Sequence, residues 1–400
     1  MKILIWFHKD LRTYDHEILN WVTSQNHEAI GVVFSPLKNS GEKKLIFWNE
    51  TVSELKISLT RLNIPLLILT DHPLKLIPEI VREHKIDEVM THRRFNKREQ
   101  EFIHILRNQL PVSVTEKGDL TLFSSVDGEL LSLRDLRPFT KFKNFVTSNW
   151  QVPPPLSNPK NENYFLSLTN SPQGGESAGL HRLKNYLWDT KSVLHYHETR
   201  NGLLKWDDSS KFSPWLAWGT LSPRFIYQEL IHLKKVLGPS DGIDALIYEL
   251  IWRDYFKFLA NIQGKSFFEQ QGLSEKKLEI ISDSEVFNRW CRGETSEEFV
   301  NANMKELYLT GWMSNRGRQN VASYLAKKLK LDWTLGAQWF ESQLIDEDTE
   351  NNYGNWQYLA GVGTDPRDRI FDIKRQSSLY DPEGVYQNLW SQKILPNKGP

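Results

Sequence analysis

Residues 311–356 read GWMSNRGRQNVASYLAKKLKLDWTLGAQWFESQLIDEDTENNYGNW, and the fold of the chain turns on them. With Thr310 as an N-cap, Trp312, Asn315, Gln319 and Ala322 or Ser323 recur at helical spacing and form a face of amides and indole. Met313, Tyr324, Leu325 and Leu329 supply an apolar stripe on the same helix. Downstream, Asp346, Asp348, Asn351 and Asn352 crowd into a loop ahead of Trp356, with Arg316 and Arg318 as counter-charges. A buried polar group left unpaired costs about 1–3 kcal/mol, so core building alone does not place so many beside tryptophan. The pattern predicts a bound ligand that is polar and planar. A calcium loop is excluded, because the central glycine it needs is Asn351 and the closing glutamate is Gln357.

Working back from this stretch, the helical period holds from Gly175 onward, which predicts an all-helical (all-α) domain over 176–390 and a tail at 391–400. In SSKFSPWLAWGTLSPRFIYQEL, Ser209, Ser210, Lys211 and Ser213 precede a helix start at Pro214. Free N–H groups and hydroxyls there suit either a simple cap or an anion such as a pyrophosphate. In ALIYELIWRDYFKFL, Glu249, Trp252, Arg253 and Phe256 share one helical face. Glu249 either forms a buried ion pair with Arg253 or serves a ligand.

The first part of the chain has a different rhythm. Short apolar runs at Ile3–Phe7, Ile30–Phe34, Leu66–Leu69, Glu88–Met90 and Val112–Thr115 alternate with helical patterns near 45–62, 73–84 and 96–109. Such alternation predicts an α/β domain over 1–130, a parallel sheet covered by helices. HKDLRTYDH follows the first strand, so neither a dinucleotide fingerprint nor a phosphate loop is present. Between 131 and 175 the pattern dissolves into Gly, Ser, Asn and Pro, a linker with one short helix near Leu133–Val146.

The 50 basic and 50 acidic residues of this 400-residue chain cancel, which excludes a protein that coats nucleic acid by bulk charge. A single cysteine, Cys291, excludes a disulfide framework and a cysteine metal cage, and it implies a reducing, cytoplasmic setting. The opening MKILIWF is too short to span a membrane and is broken by His8, Lys9 and Asp10. Tryptophan is abundant, at 15 residues, and concentrated from Trp150 onward, which places aromatic chemistry in the second half.

Taken together, WFHKDLRTYDHEIL, GGESAGLHRL, YHETRNG, SSKFSPWLAWGTLSPRFIYQE, ELIWRDYF, NANMKEL, TGWMSNRGRQNVASYL, the 331–363 stretch and YDPEGVY resemble the cryptochrome and photolyase family, most closely its DASH branch. The resemblance implies a Rossmann-like antenna domain joined to a helical domain that holds FAD, and a monomer. It also implies light-driven repair of cyclobutane pyrimidine dimers, preferentially in single-stranded DNA. Position by position, it gives Ser209, Ser210, Lys211, Phe212 and Ser213 the phosphates, with Tyr196, Trp312 and Asn315 as further cofactor contacts. Asp346 and Asp348 match the carboxylates at the flavin and the adenosine ribose, Arg318 the partner of Asp346, and Asn352 the side chain against flavin N5. Trp356 and Trp333 match the flavin-proximal members of an electron-carrying tryptophan chain. Glu249, Trp252, Asn315, Arg316, Gln319 and Tyr358 match the lesion pocket, with Lys257, Arg316, Arg367, Arg369 and Lys374 as a basic rim for phosphates.

Three departures from the family pattern stand out. The outer tryptophan position falls near Ile280, which breaks the electron chain and leaves Trp339 or Tyr308 as detours. SEEFVNA replaces the usual segment before NMKEL, with Glu297, Glu298 and Asn301 altered. Arg94 stands where the branch has a folate-contacting glutamate, which argues against a folate-type antenna.

Overall fold

The computed structural model describes residues 1–36, 39–118, 120–123, 138–157, 172–274, 278–365, 370–393 and 395. Strands β1 (Lys2–Trp6), β2 (Glu28–Phe34), β3 (Leu66–Leu69), β4 (Glu88–Thr91) and β5 (Ser113–Glu116) form one sheet in the order β3-β2-β1-β4-β5. Every neighbouring pair is parallel. Side chains alternate across a strand, so β1 feeds two cores. Leu4 and Trp6 pack with Ile77, Ile80 and Ile103 on one face, whereas Ile3 and Ile5 join the core shared with the helical part.

Helices α1 (Glu17–Ser24), α2 (Glu42–Thr60), α3 (Pro73–His84) and α4 (Lys97–Gln109) lie between the strands. The last three answer the expected helical patterns. Helix α1 is an addition to them. Its N-cap is His16, whose Nδ1 accepts the Leu19 N–H at 3.2 Å in place of a hydroxyl or carboxamide.

The strand order reverses between β1 and β4, the place where parallel sheets open a crevice. Asp10, just after β1, closes part of it. Its carboxylate meets His92 Nδ1 at 2.7 Å, lies 3.2 Å from His16 Nε2 and accepts the His8 N–H at 2.6 Å. Asp10, His16 and His92 are all buried. Burial alone would raise the Asp10 pKa, but the two histidines outweigh it and hold the carboxyl well below its usual range. The turn over residues 8–12 is thereby fixed.

The short helix expected near Leu133–Val146 is α5 (Phe139–Asn149); residues 133–137 of that expectation, like residues 158–171 of the 131–175 linker, lie outside the described residues. The principal helices of the second part follow as α6 (Glu176–Lys184), α7 (Ser213–Ala217), α8 (Pro223–Leu237), α9 (Asp241–Gln263), α10 (Ser284–Cys291), α11 (Glu298–Thr310), α12 (Asn315–Ser323), α13 (Trp333–Gln343), α14 (Thr349–Ala360), α15 (Ile373–Tyr380) and α16 (Val385–Ser391). Among the described residues, no strand follows β5 and no helix is long and apolar enough to cross a membrane.

Two expectations in the 311–356 stretch need correction. Thr310 is the last residue of α11, which Gly311 ends in the left-handed conformation at φ 70°. The cap of α12 is Ser314, whose hydroxyl accepts the Gly317 N–H at 3.0 Å. The stretch from Asp346 to Trp356, expected as a loop, becomes helical at Thr349, because the Asp348 carboxylate accepts the Asn351 N–H and caps α14. Helix α14 then lays Trp356 on α13 so closely that a Cβ at Gly336 would come within 2.3 Å of the indole.

Candidate functional site

A cavity of about 310 Å³ opens among α7, α9, α12 and α14 and the segments between them. Its floor is charged. Arg318 reaches Asp346 with one terminal nitrogen, 3.0 and 2.7 Å from the two carboxylate oxygens, while its Nε donates to the Met313 carbonyl at 2.9 Å. Asp348 receives Lys257 at 3.0 Å and lies 3.8 Å from Arg253 Nε. Burial would raise the Asp348 pKa, but Lys257, Arg253 and Lys9 outweigh it and hold the carboxyl far below its usual range. These side chains are tied down by the protein itself.

One end of the cavity is formed by Ser209, Ser210, Lys211, Phe212 and Ser213. Arg182 takes up the carbonyls of Ser209 and Ser210 at 3.0 and 2.9 Å, which anchors the outer side of this loop. Lys211 adopts φ 57°, and its ammonium sits 3.6 Å from the centroid of the Trp312 ring. Burial pulls its pKa down to about 8, with Glu306 opposing. Helix α7 starts at Ser213 and is only five residues long, so the loop and Lys211, more than a helix dipole, supply the positive end. Tyr196 also borders the cavity.

Asn352 lines the wall, its amide nitrogen bonded to the Ala337 carbonyl at 2.9 Å, which sets the rotamer. Trp356, 2 % exposed, meets Phe340 edge-on at 5.1 Å and Trp290 at 6.2 Å between ring centroids. Trp333 is buried against Tyr353 at 6.0 Å, and its indole donates to the Gln270 carbonyl at 2.8 Å. The sequence assigns Trp290 no role. Its place in a short helical run gives no hint of the ring contact, which only the fold creates.

The mouth is more open. Glu249 pairs with Arg200, not with Arg253 as helical spacing suggests, because Arg253 turns inward to the Leu120 carbonyl at 2.9 Å. The Glu249 side chain remains 38 % exposed, and its pKa is raised by burial with Arg200 opposing. Asn315 is exposed on the rim, beside Gln319. Trp252 does not line the cavity directly: one face of its indole stacks on Phe139 at 3.4 Å and 4°. Arg316 donates to Asn201 at 2.9 Å and lies over the Tyr380 ring at 4.6 Å, and Tyr358 is half-buried.

Lys257 cannot serve a basic rim, since it is buried between Asp348 and Glu350. Lys374 is exposed, whereas Arg367 and Arg369 lie outside the described residues. Ile280 is half-buried, next in the chain to the Glu279 that pairs with Lys330. Asn301 of SEEFVNA closes its own loop onto Thr295, with bonds of 2.8 and 2.9 Å.

The chain matches the DNA photolyase model over residues 3–160 and the model for the FAD-binding domain of DNA photolyase over residues 246–395. It is 39 % identical to a cryptochrome DASH of Synechocystis sp., over 98 % of this chain and 88 % of that one. It is 34 % identical to a cryptochrome DASH of Xenopus laevis, over 99 % and 84 %. The crystal structure of a Synechocystis cryptochrome superimposes with a TM-score of 0.89 at 37 % identity, covering 97 % of this chain and 88 % of that one. The chain thus belongs to the photolyase and cryptochrome family. Within it, the chain is a member of the DASH cryptochromes.

The helical part is accordingly an FAD-binding domain, and the residues present suit the cofactor. Among the described residues, the indole nitrogens of Trp312 and Trp356 and Nε of Arg253 are buried at the cavity without a hydrogen-bond partner, which a polar ligand would relieve. The crevice that Arg94 borders holds about 30 Å³, room for a water molecule. Arg94 itself lies over the Trp6 ring at 5.0 Å.

Proposed function

We propose that this protein is a light-driven, FAD-dependent photolyase that splits cyclobutane pyrimidine dimers in single-stranded DNA. The observation that carries the reading is the half-exposed Glu249 at the mouth, which shares the cavity with Asn315 and with a floor of fixed carboxylates. FAD, when bound and reduced, supplies an electron to the lesion under blue light. The chain's residues do the rest. The Ser209–Ser213 loop and Lys211 hold the pyrophosphate, Asp346 and Asp348 accept hydrogen bonds from the cofactor, and Asn352 faces the flavin ring.

A dimer inside a duplex cannot enter such a cavity, so the lesion must leave the stack, at a cost of a few kcal/mol that falls for damaged or unpaired bases. Trp252 and Tyr358 offset that cost by stacking, at about 1–3 kcal/mol per base. Glu249 hydrogen-bonds the base edges, and its raised pKa favours the protonated form that donates to a carbonyl gaining charge. Trp356 and Trp333 carry electrons inward. A single-stranded substrate also suits a chain of zero formal net charge whose Lys257 is already paired internally.

A second reading, a blue-light receptor without repair, is favoured by the Phe139 ring that covers one face of Trp252 and by Ile280 at the outer electron position. The test is to record the visible spectrum of the purified protein, then illuminate its reduced form with dimer-containing single-stranded and duplex oligonucleotides. Dimer loss in the single strand establishes repair. Flavin absorbance without dimer loss leaves the receptor, and no flavin absorbance ends both readings.

A further inference from the structure

The large cavity and the small crevice at the strand reversal share a wall. Asp348, Arg253 and Ala217 border both, and part of the wall is the segment from Leu344 to Glu350, which follows Glu341 at the end of α13. Its far side is gripped by the sheet part of the chain. Lys9, in the turn after β1, donates to the Glu347 carbonyl at 2.9 Å and to the Glu347 carboxylate at 3.0 Å. Lys44 on α2 donates to the Glu341 carbonyl at 2.7 Å, and Asn96, capping α4, donates to Glu350 at 2.7 Å.

The turn that carries Lys9 has no freedom to follow a moving wall. Its Leu11 N–H donates to the Trp218 carbonyl at 3.1 Å, and Arg12 donates to the Gly219 carbonyl at 2.8 Å. The backbones approach so closely that a Cβ at Gly219, where φ is 67°, would fall 1.8 Å from the Lys9 carbonyl oxygen. Trp218, in turn, donates its indole N–H to the Ile345 carbonyl at 2.8 Å, and the Lys9 ammonium lies 5.2 Å from its ring centroid. One rigid turn therefore fixes both Ile345 and Glu347, the residues that flank Asp346.

We infer that Lys9 is a positioning residue for the flavin cofactor: by holding Glu347 through both its carbonyl and its carboxylate, it sets Asp346 and Asp348, on either side, at the spacing that receives the cofactor. The inference rests on the flavin reading of the larger cavity. Burial works against the charge on Lys9, but Glu347 and Asp348 outweigh it and raise its pKa, so the grip persists through neutral pH. Charge-assisted bonds of this kind also resist exchange with water, because the Glu347 side chain is only 6 % exposed.

The test compares FAD dissociation constants of the full chain with Lys9→Met, Lys9→Arg, Glu347→Gln and the Lys9→Met/Glu347→Gln double variant, with Lys75→Met as a surface control. Lys9→Met should weaken FAD binding about tenfold, Lys9→Arg should restore most of it, and the double variant should lose little more than either single one. A merely structural lysine would lower the melting temperature and leave the dissociation constant, measured at low temperature, unchanged; that result overturns the inference. Fully additive losses in the double variant overturn it too. Should Lys9→Met not fold, Glu347→Gln with and without Lys9→Arg gives the same comparison. If the unaltered chain binds no FAD, the flavin reading itself fails; if it binds and the variants bind equally, only the role of Lys9 fails.

Discussion

The floor and the mouth of the cavity each present a carboxylate beside an arginine, and they behave as opposites. At the floor, Asp346 is 6 % exposed, and Asp348 is clamped by Lys257. At the mouth, the Arg200 and Glu249 side chains are 37 % and 38 % exposed, and the Glu249 pKa is raised where that of Asp348 is lowered. The floor is built to stay charged and still, whereas the mouth can exchange its arginine for a substrate. On the proposed function, a cofactor held for the life of the protein and a lesion held for one turnover would ask for these two kinds of pair.

Breaking the floor should have the largest effect. Asp348→Ala removes the α14 cap and one of the two carboxylates that hold the buried Lys257, leaving Glu350 alone to pair it, a loss of about 3 kcal/mol. Denaturant titration should show it, together with loss of flavin from the purified protein; a stable, yellow variant would refute the picture of a fixed floor.

A pH experiment probes the floor's neighbourhood next. Glu306, whose charge acts on Lys211, accepts the Tyr386 hydroxyl at 2.6 Å, and burial lifts its pKa to about 7 against Tyr386, Lys211 and Arg318. A carboxyl whose pKa is raised in the folded state contributes stability that is complete below its unfolded value and is lost as pH rises toward 7. The decline amounts to about 3 kcal/mol in all. Glu306→Gln should flatten that part of the stability profile between pH 5 and 8, and an unchanged slope would place the proton elsewhere.

At the mouth the expected pattern inverts. Glu249→Gln should change stability by less than about 1 kcal/mol, because a half-exposed pair contributes little. The proposed dimer repair should nevertheless fall about tenfold, as for the loss of one charge-assisted hydrogen bond, and any dependence of repair on the Glu249 proton should disappear from the pH profile. Large destabilisation with intact repair would mean that Glu249 belongs to the frame. The smallest effect concerns the ring behind Trp252. Phe139→Leu should weaken binding of dimer-containing single strands about threefold if Phe139 backs the indole, and tighten it if Phe139 blocks the stacking face.

Part of this architecture is legible in the sequence, and the rest is hidden for definable reasons. The five strands and three of the four helices between them can be read directly, because apolar alternation and helical period are local signals. The charged side chains around the cavity stand out as a surplus beside tryptophan. Their pairings are less accessible: Arg200 lies 49 positions from Glu249, and Lys9 lies 338 from Glu347, beyond any spacing rule. Helix α1 is hidden because histidine is an uncommon cap. Helix α14 is hidden because its first turn is nearly all acid and amide, a composition that reads as loop until Asp348 is seen to cap it. Lys257 looks like part of a basic rim because a lysine's charge is visible in a sequence and its burial is not.

The alternation of β1 has one more consequence. One face of the sheet is sealed by α3 and α4, while the other contributes Ile3, Ile5 and Phe7 to the same apolar cluster that contains Trp290, Trp356 and Tyr386. Severed from its partner, either half would expose oily surface. The molecule is therefore modular in its family matches but not in its manufacture: the halves are expected to melt in a single step, and neither is a candidate for expression alone.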